Sequence, residues 1–464
     1  MIKLTPEKLI NISEGFDRVG TTVKIKGVEE KIFRIINNPY KAFFETIFSN
    51  NKLEPFFKKF LVPTKISQEY LGQNGEIVLE HERIRDINFL FEWSREMTKD
   101  AGIFLIDVTI AMIKEGLYLK DSHAFNITFS NKKPIFFDYG SIVENPKKIG
   151  FVWISHFFHN FLFPVAYFSV SEGSKYRNFA IQHLDKPFNS LRFLYFTFLK
   201  NPLHTINVLF HYLSFVVQCR YVKTVEQQLK ILLNLRGYLF NLEIAYPKTR
   251  WSDYYENQKH NFGDKNLWDS KMFQVEQLSK RISPASILDI GGNTGLYSEV
   301  IRQAQPKLAH LILTDYDEVA IDFAYRDPLL NHNPYVTDFH NLIRDTIVYW
   351  RPPKQTIYPS FSTRNTADLA IMLALIHHLT YFQHTSFQDI VKVLHKVSKK
   401  WIIVEFISNN DFHVQKWFRT KNIKPITNYT LENFIHELQK YFRIIDSVPC
   451  GKEREDRTLI LCEK

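Results

Sequence analysis

Glycine is scarce in this sequence, which has 16 glycines among 464 residues against a usual share of about 7%. So low a content excludes collagen-like and glycine-rich low-complexity proteins. Three of the sixteen nevertheless fall within five residues, at Gly291, Gly292 and Gly295. A cluster in so glycine-poor a chain is not explained by composition, and it indicates a backbone turn whose conformation or ligand contacts require glycine.

Cysteine is also rare, since the chain has three widely spaced cysteines and no C-x-x-C pair. This number and spacing exclude a disulfide framework or a zinc site built on cysteine pairs. The first residues lack the apolar core and small-residue cleavage site of a secretory signal. We therefore expect a reducing compartment and predict a cytoplasmic protein.

Two long apolar runs, residues 150–170 and 201–219, carry no formal charge. Each approaches the roughly 20 residues that a membrane-spanning helix requires. Both contain several His and Asn side chains, which would lack hydrogen-bond partners in lipid. We expect buried or interfacial helices and no transmembrane span, and peripheral contact with a membrane stays open.

Neither sign of charge is missing, because 59 Lys and Arg outnumber 49 Asp and Glu to leave a net charge of +10. Apolar residues make up 45% and charged residues 23%, which is typical of a globular protein. The basic balance fits nucleic acid, an anionic membrane or an acidic substrate, but it fits an ordinary soluble basic protein as well.

From residue 286 onward, short apolar runs alternate with amphipathic stretches, which predicts an α/β fold with a parallel sheet. A helix over Phe387–Val397 is expected between two buried strands, and a hairpin closes the chain. The expected strands are Ser286–Ile290, His310–Asp315, Ala367–Ile376, Lys400–Ile407, Arg443–Val448 and Thr458–Cys462.

The glycine cluster lies in the segment D-I-G-G-N-T-G, directly after the first of these strands, and Asp315 ends the next strand. A glycine turn opening a helix suits a phosphate or cofactor, and an acid at the second strand end suits ribose hydroxyls. The spacing resembles motif I of class I S-adenosylmethionine methyltransferases, D/E-x-G-x-x-x-G, whose fold is a Rossmann-like seven-stranded sheet. The resemblance implies S-adenosylmethionine as cofactor, bound by Asp289, Gly291, Gly292, Asn293 and Gly295, with Asp315 at the ribose and Asp338 at the adenine amino group. A Rossmann-like turn for another ligand is the alternative.

The methyl acceptor is harder to predict. His377 and His378 follow the strand at which substrate would stand, and a neutral imidazole can deprotonate a hydroxyl. We expect His378, or else His377, to be catalytic; the alternative is a packing or capping role. The segment lacks the N/D-P-P-Y/F tetrapeptide of nucleic-acid amino-methyltransferases, so nucleic acid is not the expected partner.

A second constellation lies earlier in the chain. Asp121 is followed by Asn126, by two short strands, and by Asp138 in a D-Y-G segment. This order resembles the catalytic core of protein-kinase-like folds. The resemblance implies a base at Asp121, metal ligands at Asn126 and Asp138, and a possible ATP/Mg²⁺ site.

The departures from the kinase pattern are large. Leu119-Lys120 stands where kinases carry His-Arg, and the first fifty residues contain no G-x-G-x-x-G. Arg34 replaces the usual phosphate-binding lysine, and we expect Glu45 to pair with it. These departures favour a degenerate or repurposed module over an active protein kinase.

The motifs together resemble a bacterial family of class I S-adenosylmethionine-dependent methyltransferases related to a nodulation-associated protein. That resemblance rests on E-H-E-R-I at 80–84, F-E-W-S at 91–94, L-K-D-S-x-x-x-N-I-x-F at 119–129 and P-I-F-F-D-Y-G-S at 134–141. Together with the kinase-like pattern, it leads us to expect a kinase-like module over 1–149, a helical connector or C-lobe-like region over 150–250, and a methyltransferase domain over 251–464.

The function implied is methyl transfer to an unidentified acceptor, an O- or N-nucleophile of a small molecule, glycan or lipid. The alternative is a bifunctional or regulatory protein whose kinase-like module binds nucleotide and metal or transfers phosphate.

Overall fold

The computed structural model of the chain describes residues 1–11, 18–170, 187–247, 249, 261–337, 342–343, 346–351, 354–451 and 455–464. These residues form two compact units. The first unit contains residues 1–90, the described part of 98–171, and 187–245. The second contains residues from 246 onward together with a short segment from far upstream, Phe91–Met97.

The first unit begins with a sheet of six strands in the order β1-β5-β6-β4-β3-β2. β1 is parallel to β5, and the other neighbours are antiparallel. One face is buried around Phe33 and Val78. The strands are β1 Ile2–Lys3, β2 Leu9–Asn11, β3 Gly20–Ile25, β4 Lys31–Ile36, β5 Thr64–Leu71 and β6 Ile77–Glu82.

Helices and two small two-stranded sheets complete the N-terminal part of this unit. The pairs β7–β10 and β8–β9 are antiparallel, and β8–β9 is the hairpin expected between Asn126 and Asp138. The elements are α1 Lys41–Ser49, α2 Glu54–Phe60, α3 Arg95–Lys114, β7 Leu117–Leu119, β8 Ile127–Ser130, β9 Lys133–Phe136 and β10 Ile142–Glu144.

The rest of the first unit is helical and rich in aromatic side chains. A π-helical turn at Phe158–Leu162 connects α4 to α5, and a capping box of Thr224 and Gln227 begins the last helix. Along the described parts of the chain, no helix is long and apolar enough to cross a membrane. The helices are α4 Phe151–Phe157, α5 Phe163–Phe168, α6 Pro187–Lys200, α7 Pro202–Tyr221 and α8 Val225–Asn241.

The second unit is built on a sheet in which seven described strands follow the order β13-β12-β11-β16-β17-β19-β18. The first five neighbours in this order are parallel, and β19 runs antiparallel to both β17 and β18. The strands of this unit are β11 Ser286–Ile290, β12 His310–Asp315, β13 Asn333–Val336, β14 Thr346–Arg351, β15 Lys354–Pro359, β16 Ala367–Met372, β17 Ser398–Ile407, β18 Arg443–Pro449 and β19 Arg457–Glu463.

Helices cover this sheet and pack apolar side chains onto it, Val300 and Val275 among them. Side-chain caps begin two of these helices, since Asp317 and Ser386 each accept a backbone N–H in the first turn. The helices are α9 Ser270–Lys280, α10 Leu296–Ala304, α11 Glu318–Arg326, α12 Phe361–Arg364, α13 Ile376–Gln383, α14 Phe387–Val397, α15 Phe412–Thr420 and α16 Leu431–Gln439.

The prediction of an α/β fold with a Rossmann-like sheet is confirmed by this strand order, which is that of class I methyltransferases. One strand is shorter than expected. The run predicted to extend to Ile376 ends at Met372, because Ala374 adopts a positive φ of 51° and a helix begins at Ile376. Apolar residues in a row do not distinguish a buried strand from the buried turn and helix that follow it.

Candidate functional site

A cavity of about 550 Å³ opens in the second unit where the parallel strands end. The ends of β11, β12, β13 and β16 all contribute to its wall, and the strand order reverses direction between β11 and β16. Ligands of open α/β sheets bind at this kind of reversal, because the two neighbouring crossover helices lie on opposite faces and leave a crevice. The volume lies within the range of small-molecule and cofactor sites.

The glycine turn forms one side of the cavity. The N–H groups of Gly291 and Gly292 both donate to the carbonyl of Thr314 on the neighbouring strand, at 2.8 and 3.1 Å. Gly291 has a φ of +72°, and a Cβ placed on it would lie 2.8 Å from Cδ2 of Leu375. Glycine is therefore required here for conformation and for space. Gly291 and Asn293 line the cavity, which brings bare backbone to the ligand.

Gly295 ends the turn and begins helix α10. Its φ is +90°, and an added Cβ would lie 3.0 Å from Cε1 of His332. The helix starts directly after it, so the positive dipole end of α10 lies at this side of the turn.

Asp289 lies behind the turn and is not among the described residues that line the cavity. Its carboxylate accepts a 2.8 Å hydrogen bond from Oγ of Ser298 in α10. A Cβ on Gly292 would come within 2.3 Å of the same carboxylate, so Gly292 and Asp289 are packed directly together. Burial raises the pKa of Asp289 to about 7 against the opposing effect of the Ser298 hydrogen bond. Its position makes it a support of the turn.

Asp315 lies at the end of β12 and lines the cavity. Its carboxylate accepts the N–H of Asn293 at 2.8 Å and the N–H of Asp317 at 2.7 Å. Burial raises the pKa of Asp315 to about 6, and these two hydrogen bonds limit the rise. A carboxylate held by two backbone donors can still accept from two neighbouring hydroxyls, as on a ribose.

These features fit S-adenosylmethionine. The turn brings backbone rather than side chains to the cavity, Asp315 presents acceptors, and Thr337 and Leu342 extend the wall beyond β13. Asp338, the residue expected at the adenine amino group, lies outside the described residues.

The opposite wall of the cavity is made of rings. His377 is stacked on Trp417 with centroids 5.2 Å apart and an angle of 6° between planes. His378 lies 4.7 Å from Trp417 and 5.7 Å from Phe382, again between ring centroids. His377 is buried, and His378 is partly exposed. The structure therefore brings both predicted histidines to the cavity, on an aromatic surface.

The two histidines differ in electrostatics. Burial, with the nearby His378 and Arg457 adding to it, lowers the pKa of His377 well below its usual value. Nδ1 of His377 has no hydrogen-bond partner among the described residues. A buried, neutral, stacked imidazole is suited to shaping the wall, and the partly exposed His378 is better placed to take a proton.

Sequence reasoning missed several residues of this wall. Trp417, His413 and Lys421 come from α15 and the residue after it, and Arg457 comes from the first position of β19. The acidic N-cap and amphipathic pattern of 411–420 could have predicted the helix. No local signal in the sequence shows that this helix faces the glycine turn.

A buried ionic network lies beneath the cavity. Glu405 is fully buried and pairs with Nζ of Lys271 at 2.5 Å, with a further contact of 3.7 Å to Arg457. It also accepts the N–H of Ala374 at 2.7 Å, which holds the positive-φ turn before the two histidines. Burial would raise the pKa of Glu405, but the two cations outweigh it and lower the pKa. Glu405 thus acts as a support for the loop that carries His377 and His378.

In the first unit, the three residues of the kinase-like pattern meet. Nδ2 of Asn126 donates to Asp121 at 2.7 Å, and Oγ of Ser141 contacts the carboxylates of both Asp121 and Asp138. Nη1 of Arg34 forms a 2.8 Å ion pair with Asp138. The predicted constellation is therefore compact, with Ser141 as an additional member.

The two carboxyl groups of this cluster have pKa values shifted in opposite directions. Burial favours neutral Asp138, but Arg34 and Ser141 outweigh burial and lower the pKa of Asp138. Burial and the Asp138 carboxylate raise the pKa of Asp121. The expected pairing of Glu45 with Arg34 is wrong, because Glu45 is half-exposed on α1 beside Lys41. Within the described ranges, no group of three or more His, Cys, Asp or Glu side chains is arranged to hold a metal ion.

No protein-family model matches the sequence. Among curated proteins, the chain is similar to nodulation protein NoeA of Rhizobium meliloti (strain 1021), at 24% identity over 415 residues, 83% of this chain and 82% of that protein.

Among solved structures, the chain is similar to magnesium protoporphyrin IX methyltransferase from Synechocystis PCC 6803 (12% identity, 46% of this chain, 97% of that chain, TM-score 0.30). It is also similar to a putative O-methyltransferase from Nostoc punctiforme PCC 73102 (16% identity, 42% of this chain, 55% of that chain, TM-score 0.30). A third is human N-acetylserotonin methyltransferase (14% identity, 46% of this chain, 55% of that chain, TM-score 0.28).

Proposed function

We propose that the chain is an enzyme that transfers a methyl group from S-adenosylmethionine to an O- or N-nucleophile. The observation that carries this proposal is the cavity at the strand-order reversal, with the glycine turn on one side and Asp315 on another. Class I strand order, a motif I turn and a second-strand acid in one cavity together favour this cofactor over another Rossmann-type ligand. The name of the similar nodulation protein does not identify a methyl acceptor.

In this proposal each residue of the turn has a role. Gly291 and Asn293 contact the cofactor through backbone, while Asp289, Gly292 and Gly295 hold the turn in shape. Asp315 accepts the ribose hydroxyls, and Asp338 is proposed for the adenine amino group from the family resemblance. When bound, S-adenosylmethionine supplies an already electrophilic methyl group. The chain then has to align the acceptor with it and keep water out, which can supply much of the rate.

We assign proton removal to His378, because it is partly exposed on the cavity wall. His377 supports this wall beside His378, since it is buried and stacked on Trp417 of α15. If His378 is the base, His378→Ala lowers kcat by roughly 10²–10⁴-fold while S-adenosylmethionine affinity stays unchanged. An equal loss of cofactor affinity in this variant would instead assign His378 to cofactor binding.

The acceptor carries a hydroxyl or amine and belongs to a small molecule, glycan or lipid. The ring wall of His378, Phe382 and Trp417 supports an acceptor with a flat or apolar face, because aromatic rings stack on such faces. Incubating lysate fractions with methyl-labelled S-adenosylmethionine and the enzyme identifies the fraction that takes up label. The matched reaction with Asp315→Ala should leave that fraction unlabelled.

Calorimetry tests the cofactor assignment directly. Wild type should bind S-adenosylmethionine, and Asp289→Ala should bind it far more weakly, since the turn loses the group against which Gly292 and Ser298 pack. Binding of equal strength by the two proteins would contradict the assignment of this turn to the cofactor.

For the chain as a whole, we propose the division suggested by the sequence: a kinase-like module over 1–149, a helical region over 150–250 and the methyltransferase over 251–464, with Phe91–Met97 part of the second compact unit. Three buried free cysteines support a reducing, cytoplasmic environment.

A second candidate function, nucleotide and metal binding by the first unit, is favoured by the meeting of Asp121, Asn126 and Asp138. The ion pair between Arg34 and Asp138 opposes it, because one metal-binding carboxylate is already neutralised. Thermal unfolding with and without ATP and Mg²⁺ tests it, with Asp138→Ala as control. A metal-dependent rise absent from the control supports this function, and no rise in wild type rejects it.

A further inference from the structure

Helices α6 and α7 of the first unit leave large apolar side chains exposed to solvent. On α7 these recur every three or four residues and so form one face, in which Leu203 is 79% exposed and Phe210 68%. We call this face the apolar stripe; its members are Leu203, Ile206, Leu209, Phe210, Leu213, Val217 and Tyr221. Helix α6 packs against α7 and adds exposed Tyr195, Phe196, Phe198 and Leu199.

The stripe is held in its orientation by the other side of α7. Val208, Phe215 and Cys219 are buried there, and Phe215 lies 5.3 Å from Phe158, between ring centroids. A polar arc that includes Asn207 separates the buried face from the stripe. Helix α7 is therefore anchored in the core on one side and presents apolar groups on another, which marks an interaction surface.

Within residues 187–225, the segment that forms the two helices, charge has a single sign, and the first acid after it is Glu226 at the start of α8. Residues 187–225 contain four Lys or Arg and no Asp or Glu. Lys200, Arg220 and Lys223 lie at the ends of the two helices and are exposed. An apolar face bordered by cations is complementary to a surface with apolar chains beneath anionic groups.

A second copy of the chain is a poorer occupant. In a two-fold symmetric dimer the same patch meets itself, so cations would face cations with no acid among residues 187–225 to pair with them. A bilayer with anionic headgroups accepts both the apolar side chains and the positive charge.

We propose that α6 and α7 bind the surface of an anionic lipid bilayer and lie in its interfacial region, with the apolar stripe inserted. The aromatic side chains of α6 and the terminal Tyr221 suit the level of the headgroups, where amphipathic rings are favoured. The binding is peripheral and reversible, since it rests on part of one helix pair.

Vesicle co-sedimentation of the full chain tests the proposal. Vesicles of phosphatidylcholine with phosphatidylglycerol should sediment the protein, and vesicles of phosphatidylcholine alone should do so at least about tenfold less well. Phe210→Asp should reduce binding to the anionic vesicles by about tenfold or more, because it places a charge in the inserted face.

Asn207→Asp is the matched control, since it adds the same charge on the same helix outside the stripe. Oδ1 of Asn207 accepts a 3.1 Å hydrogen bond from the hydroxyl of Tyr238, and aspartate keeps that acceptor. It should bind almost as well as wild type, and both variants should keep the wild-type unfolding midpoint. Equal binding by the two variants, or no binding by wild type, overturns the proposal. A wild-type dimer that Phe210→Asp dissociates, without vesicle binding, overturns it in favour of a second copy.

Discussion

Asp289 and Asp315 lie near the same turn, but Asp289 is buried whereas Asp315 is partly exposed. Asp315 lines the cavity and is held by two backbone N–H groups, whereas Asp289 is enclosed behind Gly292 and bonded to Ser298. Burial raises the pKa of each above the value usual for aspartate, to about 6 and about 7. A ligand whose hydroxyls donate hydrogen bonds to Asp315 requires the ionised form of this carboxylate, so cofactor affinity should depend on pH.

We expect S-adenosylmethionine affinity to be constant above pH 7 and to fall by up to about tenfold per pH unit below the pKa of Asp315, about 6. The sign follows because protonation removes acceptors that the ribose hydroxyls use. Calorimetry between pH 5 and 8 measures this. Asp315→Asn should bind weakly at every pH, with the slope near pH 6 absent; an unchanged slope would assign it to another group.

Gly291 shows how a single position combines two constraints. Gly291→Ala should destabilise the protein by about 1–3 kcal/mol, because φ is +72° and a Cβ would lie 2.8 Å from Leu375. The same substitution at Gly237, within α8 and with no atom near its Cβ position, should stabilise by about 0.5–1 kcal/mol. Urea unfolding of both variants measures the difference in sign. Equal shifts would mean that the turn tolerates a side chain.

At the scale of elements, one ionic network joins several pieces of the second unit. Lys271 of α9 pairs with Glu405 of β17, which accepts from Ala374 after β16 and contacts Arg457 of β19. The pKa of Glu405 is lowered, so its charged form is favoured by folding. Its contribution to stability is present above the unfolded-state pKa of a glutamate and is lost as pH falls through its lower folded-state value.

Removing one partner tests this. Lys271→Met should destabilise by about 3–5 kcal/mol, because it leaves a buried carboxylate with one fewer cation. Lys280→Met is the matched control on the same helix, since Lys280 is half-exposed and its partner Glu276 keeps a second cation, Lys265, so it should cost less than about 1 kcal/mol. Urea unfolding followed by tryptophan fluorescence gives both values. Similar losses would mean that the buried network adds little.

At the scale of the whole molecule, the second unit is not a continuous stretch of sequence. Residues Phe91–Met97 belong to it, although they precede the rest by about 150 positions. Buried Glu92 pairs with Arg364, and buried Arg95 lies 3.6 Å from Glu318. The F-E-W-S motif and the Arg95 that follows it thereby gain a physical reason: they supply charged partners to Arg364 and Glu318.

A fragment of residues 246–464 should therefore unfold at a lower temperature than the same unit in the full chain, since Arg364 loses its contact with Glu92 and Glu318 loses its contact with Arg95. A synthetic peptide of residues 88–100 should raise the fragment's unfolding temperature, and the same peptide with Glu92→Ala and Arg95→Ala should not. Identical effects of the two peptides would show that these ion pairs do not hold the segment.

Much of the second unit could be predicted, because its strands and turn are local patterns. The bounds of β11, β12 and α14 agree with expectation, and a glycine cluster in a glycine-poor chain identified the turn. The aromatic wall could not be predicted, since Trp417 reaches the histidines through tertiary packing alone. The pairing of Arg34 with Asp138 instead of Glu45 could not be predicted either, because it too depends on tertiary packing.

The sequence by itself determined the alternation of strands and helices, the glycine turn and the acid that follows it, because these depend on residues close together in the chain. It also determined the scarcity of acids around α6 and α7. The tertiary structure decided that Asp315 lines the cavity while Asp289 lies behind the turn, and it decided which histidine is buried. It also decided that Phe91–Met97 belongs with the second unit. Those outcomes depend on burial and on contacts between residues far apart in the sequence, which composition and spacing do not specify.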